Sequence, residues 1–203
     1  NTNKNLYVSW WFKTNMDLNE YGGHNKLIRI WDDGSGEKTR ISWTQILLGA
    51  YHPTETHYKG WQGKVNQWNR LEIFADSENG KIKVQTNGET IFDVNDYQKE
   101  DSDKGLSIRL IGFDPNYASE YKDLVFKMDD IFASSSPARI EISTSPEWNE
   151  EGMLKELQVP IFWSDNKISF KYNKGTLPNS TPLYLYIIDN NDQLLNQSGI
   201  KLN

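Results

Sequence analysis

The stretch "NRLEIFADSE" (69–78) carries three carboxylates, Glu72, Asp76 and Glu78, on and just after a predicted strand. Two carboxylates on either side of a glycosidic bond can hydrolyse it when they lie about 5–5.5 Å apart, with retention, or about 6.5–9.5 Å apart, with inversion. Four residues of extended strand place Glu72 and Asp76 about 13 Å apart. The spacing does not fit hydrolysis. We interpret these acids as the solvent-facing side of a strand, with Glu78 in the following turn.

A second kind of chemistry, β-elimination at a uronate, needs a group that neutralises the carboxylate and a Tyr or His that moves the proton. The first half of the chain contains side chains of these types: Arg29, Gln45, Tyr51, His52, His57 and Tyr58. A polysaccharide lyase therefore stays open as an alternative function.

Binding without turnover uses overlapping residues. The chain has 8 Trp, 10 Tyr and 8 Phe, and six of the tryptophans precede residue 70. Exposed aromatic rings suit sugars, whose C–H faces stack on them, although aromatic rings also dominate cores. For a glycan we predict stacking on Trp31, Trp43 and Trp61, and hydrogen bonds from Arg29, Gln45, Tyr51, His52 and Arg109. In the alternative interpretation, Trp31 and Trp43 are core residues.

Composition excludes several other classes. The net charge is −6, and the basic residues form no pole, so neither nucleic acid nor an anionic membrane surface is a predicted partner. No apolar run approaches the roughly 18 residues of a membrane span. The chain has no cysteine, which removes disulfides and thiolate sites.

Metal binding has weak support. The three histidines lack zinc-ligand spacing. The Asp-rich segments "DDGSGE" (32–37) and "DNND" (189–192) offer oxygens to Ca²⁺, but such segments are more often plain turns. We predict no cofactor and keep calcium as an alternative.

Apolar and polar residues alternate with a period of two along most of the chain, which predicts an all-β fold. The strongest hairpin signal is the "NG" pair at 87–88. A helix of one or two turns is predicted at 150–158. Near "SSSPAR" (134–139) the strands become shorter, so we predict a large domain at 1–135 and a small one at 136–203.

Residues 5–135 resemble the concanavalin A-like lectin/glucanase superfamily. The resemblance lies in the order of "LYVSWWFKT", "KLIRIWDD", the "QWNRLEIFADSENGKIKVQTNGE" hairpin and a closing "LVFKMDDIFAS". It implies a jelly-roll β-sandwich for the first domain. The superfamily includes lectins, hydrolases, lyases and virion proteins, so the fold alone does not choose a function.

Two enzyme patterns of that superfamily are not matched. Laminarinase-type hydrolases carry E-x-D-x-E, whereas Phe74 stands here at the central acid. Jelly-roll alginate lyases carry an R-[ST]-E-[LV]-R strand, a Q-[IV]-H strand and a late Y-x-K-x-G-x-Y strand. This chain has "LIRIW", "QIL" with Leu47 at the histidine position, and no match to the third.

The tail "VPIFWSDNKISFKY…TPLYLYIID" resembles the IPT/TIG type of immunoglobulin-like module, in which W-S-D-x-x-I-x-[FV] precedes LY[LV]…D. We therefore predict a jelly roll followed by a small immunoglobulin-like module. Its predicted function is non-catalytic polysaccharide binding, outside the cell or at a cell or virion surface. The alternatives are a uronate lyase and a structural surface or virion domain. Because the sequence begins at Asn1, we expect a piece of a larger chain or assembly.

Overall fold

The computed structural model describes residues 2–17, 26–31, 40–44, 47–51, 56–60, 62–95, 105–111, 122–149, 152–179 and 181–202. For residues 26–27, 31, 40–44, 47–51, 56–58 and 109–111, it describes the backbone alone. Every regular element in these ranges is a strand, which confirms the predicted all-β class. Within the same ranges, no helix exists that is long and apolar enough to cross a bilayer.

The chain divides into two compact units. The first comprises Asn1–Thr86 and Thr90–Ser135, and the second comprises Asn87–Glu89 and Ser136–Asn203. The first ten strands are β1 (Asn5–Thr14), β2 (Lys26–Trp31), β3 (Arg40–Thr44), β4 (Leu47–Tyr51), β5 (Thr56–Gly60), β6 (Asn69–Asp76), β7 (Lys81–Thr86), β8 (Glu89–Val94), β9 (Ser107–Ile111) and β10 (Phe126–Ser134). The remaining five are β11 (Arg139–Ser143), β12 (Lys155–Ser164), β13 (Lys167–Lys171), β14 (Tyr184–Ile188) and β15 (Ile200–Lys201).

The first unit is a β-sandwich of two five-stranded sheets. Sheet I has the order β10-β1-β6-β7-β8, and sheet II has the order β5-β4-β3-β2-β9. In sheet I, Val8, Trp10 and Phe12 point into the core, as the alternation in β1 predicts. Sheet II contributes Ile28 and Ile30 to the same core. The apolar faces of the two sheets therefore cover each other.

The tryptophans of the first unit show where alternation predicts burial and where it does not. Trp10 and Trp11 occupy opposite faces of β1, and both are buried. Trp68, in contrast, is 37% exposed. It precedes the first residue of β6, Asn69, so the sheet does not place it on a buried face.

Two predicted turns are present in the structure. At Asn87 and Gly88, φ is 54° and 82°, the positive values that a two-residue type I′ hairpin turn requires. The turn after β6 is held by Asp76, which accepts hydrogen bonds from the backbone N–H groups of Glu78 and Asn79, each at 3.0 Å. This carboxylate orders a turn.

The second unit is built on sheet III, with the order β13-β12-β11-β14-β15. One face buries Ile140, Ile142 and Leu185. The predicted helix at 150–158 is wrong, because β12 begins at Lys155. Pairing with β11, for example Ile142 opposite Glu156, overrides the local helical tendency of this segment.

The opposite face of sheet III buries charged and aromatic groups. Arg139 donates to Glu141 Oε1 at 3.0 Å and to Asp192 Oδ1 at 2.8 Å, and all three side chains are largely buried. The ring of Tyr186 packs on Trp148 at 5.0 Å between centroids. Polar pairing thus supplements a small apolar core.

Candidate functional site

The face of sheet II that points away from the core, called here the outer face, is the candidate site. Ile28 and Ile30 are buried in the core, and Arg29 lies between them on β2 with a half-buried side chain. Because neighbouring strand residues alternate between faces, Arg29 and Trp31 occupy positions on the outer face.

Strand register extends this face across the sheet. Trp31 is directly opposite Arg40, Arg40 is opposite Tyr51, and Tyr51 is opposite Thr56. Directly opposed residues of antiparallel strands lie on the same face, with Cβ atoms about 4.5–5.5 Å apart. We call Trp31, Arg40 and Tyr51 the aromatic row. Its ends are two strand spacings apart, about 9.5 Å.

A second line of residues runs beside the aromatic row. Arg29 is opposite Ser42, Ser42 is opposite Gly49, and Gly49 is opposite Tyr58. Small residues thus separate an arginine position from a tyrosine position. By register, the outer face therefore combines polar, small and aromatic positions.

Seven of the eight predicted site residues divide into three groups. Arg29, Trp31 and Tyr51 share the outer face by register. Trp43 is opposite the buried Ile28, so its position belongs to the core-facing side of the sheet. Gln45, His52 and Trp61 lie outside the described residues.

Arg109 has a separate geometry. In the β2/β9 pair, Leu110 is opposite Arg29 and Ile108 is opposite Ile30, which leaves Arg109 as the extra residue of a bulge. Bulges bend a strand and redirect the side chain of the inserted residue. Its strand position is therefore adjacent to that of Arg29, while its face does not follow from simple alternation.

Two residues of the outer face, Arg40 and Tyr58, were not among the predicted hydrogen-bonding groups. Each lies in a segment whose strand or loop character is visible in the sequence. The sequence does not show, however, that β3 pairs with β2 and β5 with β4. These pairings place Arg40 opposite Trp31 and Tyr58 opposite Gly49.

The acidic stretch of β6 differs from its prediction. Glu72 was interpreted as solvent-facing, which is wrong, because it is only 3% exposed. Its Oε1 accepts a hydrogen bond from the Tyr7 hydroxyl at 2.8 Å and lies 3.3 Å from Arg70 Nη2. Arg70 Nε also donates to Ser9 Oγ at 3.1 Å. Glu72 thus belongs to a buried polar network on sheet I.

The Asp-rich turn at 189–192 is engaged within the protein. Asp189 Oδ1 accepts from the backbone N–H groups of Asn191 and Gln193, each at 2.8 Å, and Asp192 pairs with Arg139. Among the described residues, no group of three or more acidic or histidine side chains is arranged to hold a metal ion. Asp32 and Asp33 lie outside those residues.

No family model and no curated protein matches the sequence. Among solved structures, similarity is found to domain 4 of AbnA, a GH43 extracellular arabinanase from Geobacillus stearothermophilus, in complex with arabinotriose (18% identity, TM-score 0.40, 64% of this chain and 60% of that one). It is also found to the cellulose induced protein Cip1 (17%, 0.45, 65% and 68%) and to the botulinum neurotoxin serotype D binding domain (13%, 0.42, 95% and 59%).

The chain thus spans about three fifths of the arabinanase domain and of the toxin domain. The names of the first two neighbours connect those proteins with carbohydrates. At these identities and TM-scores, the neighbours do not indicate a function for this chain.

Proposed function

We propose that this protein binds polysaccharide through the outer face of sheet II, without turning it over. The observation that carries the proposal is the aromatic row, in which register aligns Trp31, Arg40 and Tyr51 across three adjacent strands. An aromatic ring offers a stacking surface to the C–H face of a sugar, and guanidinium and phenol groups hydrogen-bond its hydroxyls or carboxylates.

The neighbouring line of residues supports the same proposal. By register, Ser42 and Gly49 lie between Arg29 and Tyr58, and their small or absent side chains would leave room for a chain-like ligand lying across the strands. A site on a paired sheet is also held more rigidly than one on a loop. An extracellular or surface location fits a polysaccharide ligand and remains part of the proposal.

Retention of the protein on immobilised polysaccharides, neutral and uronate-containing, tests this function. Trp31→Ala should abolish retention with little change in the urea midpoint, because position 31 is on the outer face. Trp43→Ala should lower the urea midpoint, because position 43 is on the core-facing side. Trp68→Ala is the matched control, since Trp68 is an exposed tryptophan outside the sheet.

Arg40→Gln replaces one polar side chain by another. It therefore tests the aromatic row even if Trp31→Ala fails to fold. Loss of retention in Arg40→Gln and Trp31→Ala, but not in Trp68→Ala, supports the aromatic row. Equal retention in all variants would remove the outer face from consideration.

A uronate lyase is the second candidate, because Arg40 and Tyr51 are directly opposed. The arginine would neutralise the uronate carboxylate, and the phenol would move a proton, the two roles that β-elimination requires. Unsaturated products absorb in the ultraviolet, so turnover is measured in the same mixtures. If absorbance rises in the wild type and not in Tyr51→Phe, the protein is a lyase and the non-catalytic proposal is wrong.

A further inference from the structure

The second unit contains a cavity that neither the glycan proposal nor its lyase alternative uses. It lies on the apolar face of sheet III and has a volume of about 620 Å³. Small-molecule sites in proteins commonly enclose about 300–1,000 Å³. The cavity is thus large enough for a ligand of moderate size.

The cavity exists because loops cover only part of the apolar face. Leu177 and Leu183 are buried together with Ile142. At the cavity, in contrast, large apolar side chains remain exposed: Trp163 by 37% and Leu195 by 62%. Exposed apolar side chains around a concave site mark a place where a ligand can remove apolar surface from water.

The lining is divided into an apolar part and a polar end. Ile168, Phe170 and Ile187 belong to the apolar part. The polar lining residues are consecutive, from Ser164 to Lys167, in and beside the turn that joins β12 to β13. A ligand that matches this lining has an apolar body and a single polar end.

The polar end carries a usable cation. Lys167 is exposed, and its ammonium makes no ion pair within the described part of the chain. Asp165 lies two residues earlier in the same turn and opposes the approach of strongly anionic groups. A head group with one negative charge fits best. A sugar fits poorly, because its hydroxyls surround the ring, whereas the polar groups here lie at one end.

We propose that the cavity binds an amphiphile, with an acyl chain against the apolar residues and a singly charged anionic head beside Lys167. The lining of this site shares no residue with the outer face of sheet II. Trp163 would contact the acyl chain directly, so it serves as the reporter.

The first experiment uses the full chain with dodecanoate and with a brominated dodecanoate, below the concentration at which they form micelles. Bromine quenches the fluorescence of an indole that it contacts. We expect saturable quenching in the wild type that unbrominated dodecanoate reverses, and its loss in Trp163→Phe. Quenching that is unchanged in Trp163→Phe would place the ligand elsewhere and overturn the proposal.

Matched variants locate the apolar part of the site. Leu195→Asp puts a charge at the mouth of the cavity, and we expect at least about a tenfold weaker affinity for dodecanoate. Ile161→Asp is the control, because Ile161 is a large apolar residue, 73% exposed and outside the lining. Both positions are exposed, so neither variant should unfold the unit. Equal losses of affinity in both variants would contradict the assignment.

A second pair of variants tests the head group. We expect Lys167→Gln to weaken dodecanoate about threefold to fivefold and to leave dodecanol unchanged. Lys171→Gln, on the same strand but outside the lining, should change neither. If sedimentation shows that a second copy of the chain fills this face and dodecanoate neither binds nor dissociates it, the proposal is wrong. Retention on polysaccharide, measured alongside, is unaffected by any of these outcomes.

Discussion

The two units cover the apolar face of a sheet in different ways. In the first unit, sheets I and II cover each other, and side chains from both, such as Trp10 and Ile30, are fully buried. In the second unit, sheet III faces loops, which bury Leu177 and Leu183 but leave a cavity beside them. A sheet must bury its apolar face against another layer. Where the second layer consists of loops, part of the face is free to meet a ligand.

The difference extends to how each unit is held together. Both units bury polar pairs, but in the second unit they accompany a smaller apolar core. Arg139 joins Glu141 and Asp192, and Glu156 accepts from the Thr176 backbone N–H at 2.7 Å and from its hydroxyl at 2.6 Å. We therefore expect the first unit to be most sensitive to lost volume and the second to lost pairing.

The largest effect is expected at Trp10. Trp10→Ala removes a fully buried indole from the sandwich core and should lower the free energy of unfolding by about 4 kcal/mol. Urea unfolding followed by far-ultraviolet circular dichroism measures it. Trp10→Phe should recover much of the loss. A small effect in the alanine variant would mean that the two sheets are not tightly packed.

Arg139→Ala is expected to have the next largest effect. It leaves the carboxylates of Glu141 and Asp192 buried without the guanidinium that both face, which should cost about 3 kcal/mol. The control is Lys171→Ala, a cation on an exposed strand position. If Arg139→Ala and Lys171→Ala have equal midpoints, polar pairing does not stabilise the second unit.

Glu72→Gln tests whether the first unit also depends on a polar network. The change removes the charge that faces Arg70 and weakens the acceptor for the Tyr7 hydroxyl. We expect a loss of about 2 kcal/mol. Glu78→Gln, in the exposed turn, is the control and should change little. If Glu72→Gln leaves the free energy of unfolding unchanged, the polar network of the first unit does not stabilise it, and its stability depends on its apolar core.

Tyr186 links the stability of the second unit to pH. Burial first, and then the electrostatic influence of neighbouring Glu147 and Tyr184, raises the pKa of its phenol above the usual value of 10.0. The folded state thus holds the proton more tightly than the unfolded state, so this stabilisation is complete below about pH 10 and is lost as pH rises through the folded pKa.

Tyr186→Phe removes this dependence together with the hydrogen bond to the Ser145 carbonyl at 2.6 Å. We expect a loss of about 1 kcal/mol at neutral pH, which shrinks at alkaline pH. Urea midpoints at neutral and alkaline pH, for the wild type and the variant, measure it. A difference that is constant with pH would contradict the raised pKa.

The smallest effect is expected at Trp68. Its indole is partly exposed and precedes β6, so Trp68→Ala should change the free energy of unfolding by less than about 0.5 kcal/mol. The same urea experiment serves as the check. A loss approaching that of Trp10→Ala would show that partial exposure conceals a packing role.

Local sequence patterns predicted the strands well. Alternation places Val8 and Trp10 correctly, and Asn87-Gly88 forms the expected turn. Alternation did not predict the environment of Glu72, because it separates the two faces of a strand without saying what lies on the second face. Tyr7 and Ser9, which meet Glu72 and Arg70, come from a strand more than 60 residues away.

The candidate site shows the same limit. The position of Arg29 between the buried Ile28 and Ile30 follows from alternation in β2 alone. Placing Trp43 required its register with Ile28, and finding Arg40 required its register with Trp31. A shift of one residue in either pairing exchanges the faces. Register depends on contacts between segments that are far apart in the chain. These contacts cannot be predicted from a single sequence.

Strand β13 has a consequence for solubility. In the described sheet it pairs with β12 alone, so its other side is an edge that another extended chain can join. Lys167 and Lys171 are the first and last residues of this strand. A second molecule that paired with this edge would bury their charges, which disfavours such pairing. Acetylation of these lysines would remove that protection, and the protein should then aggregate at lower concentration than its unmodified form.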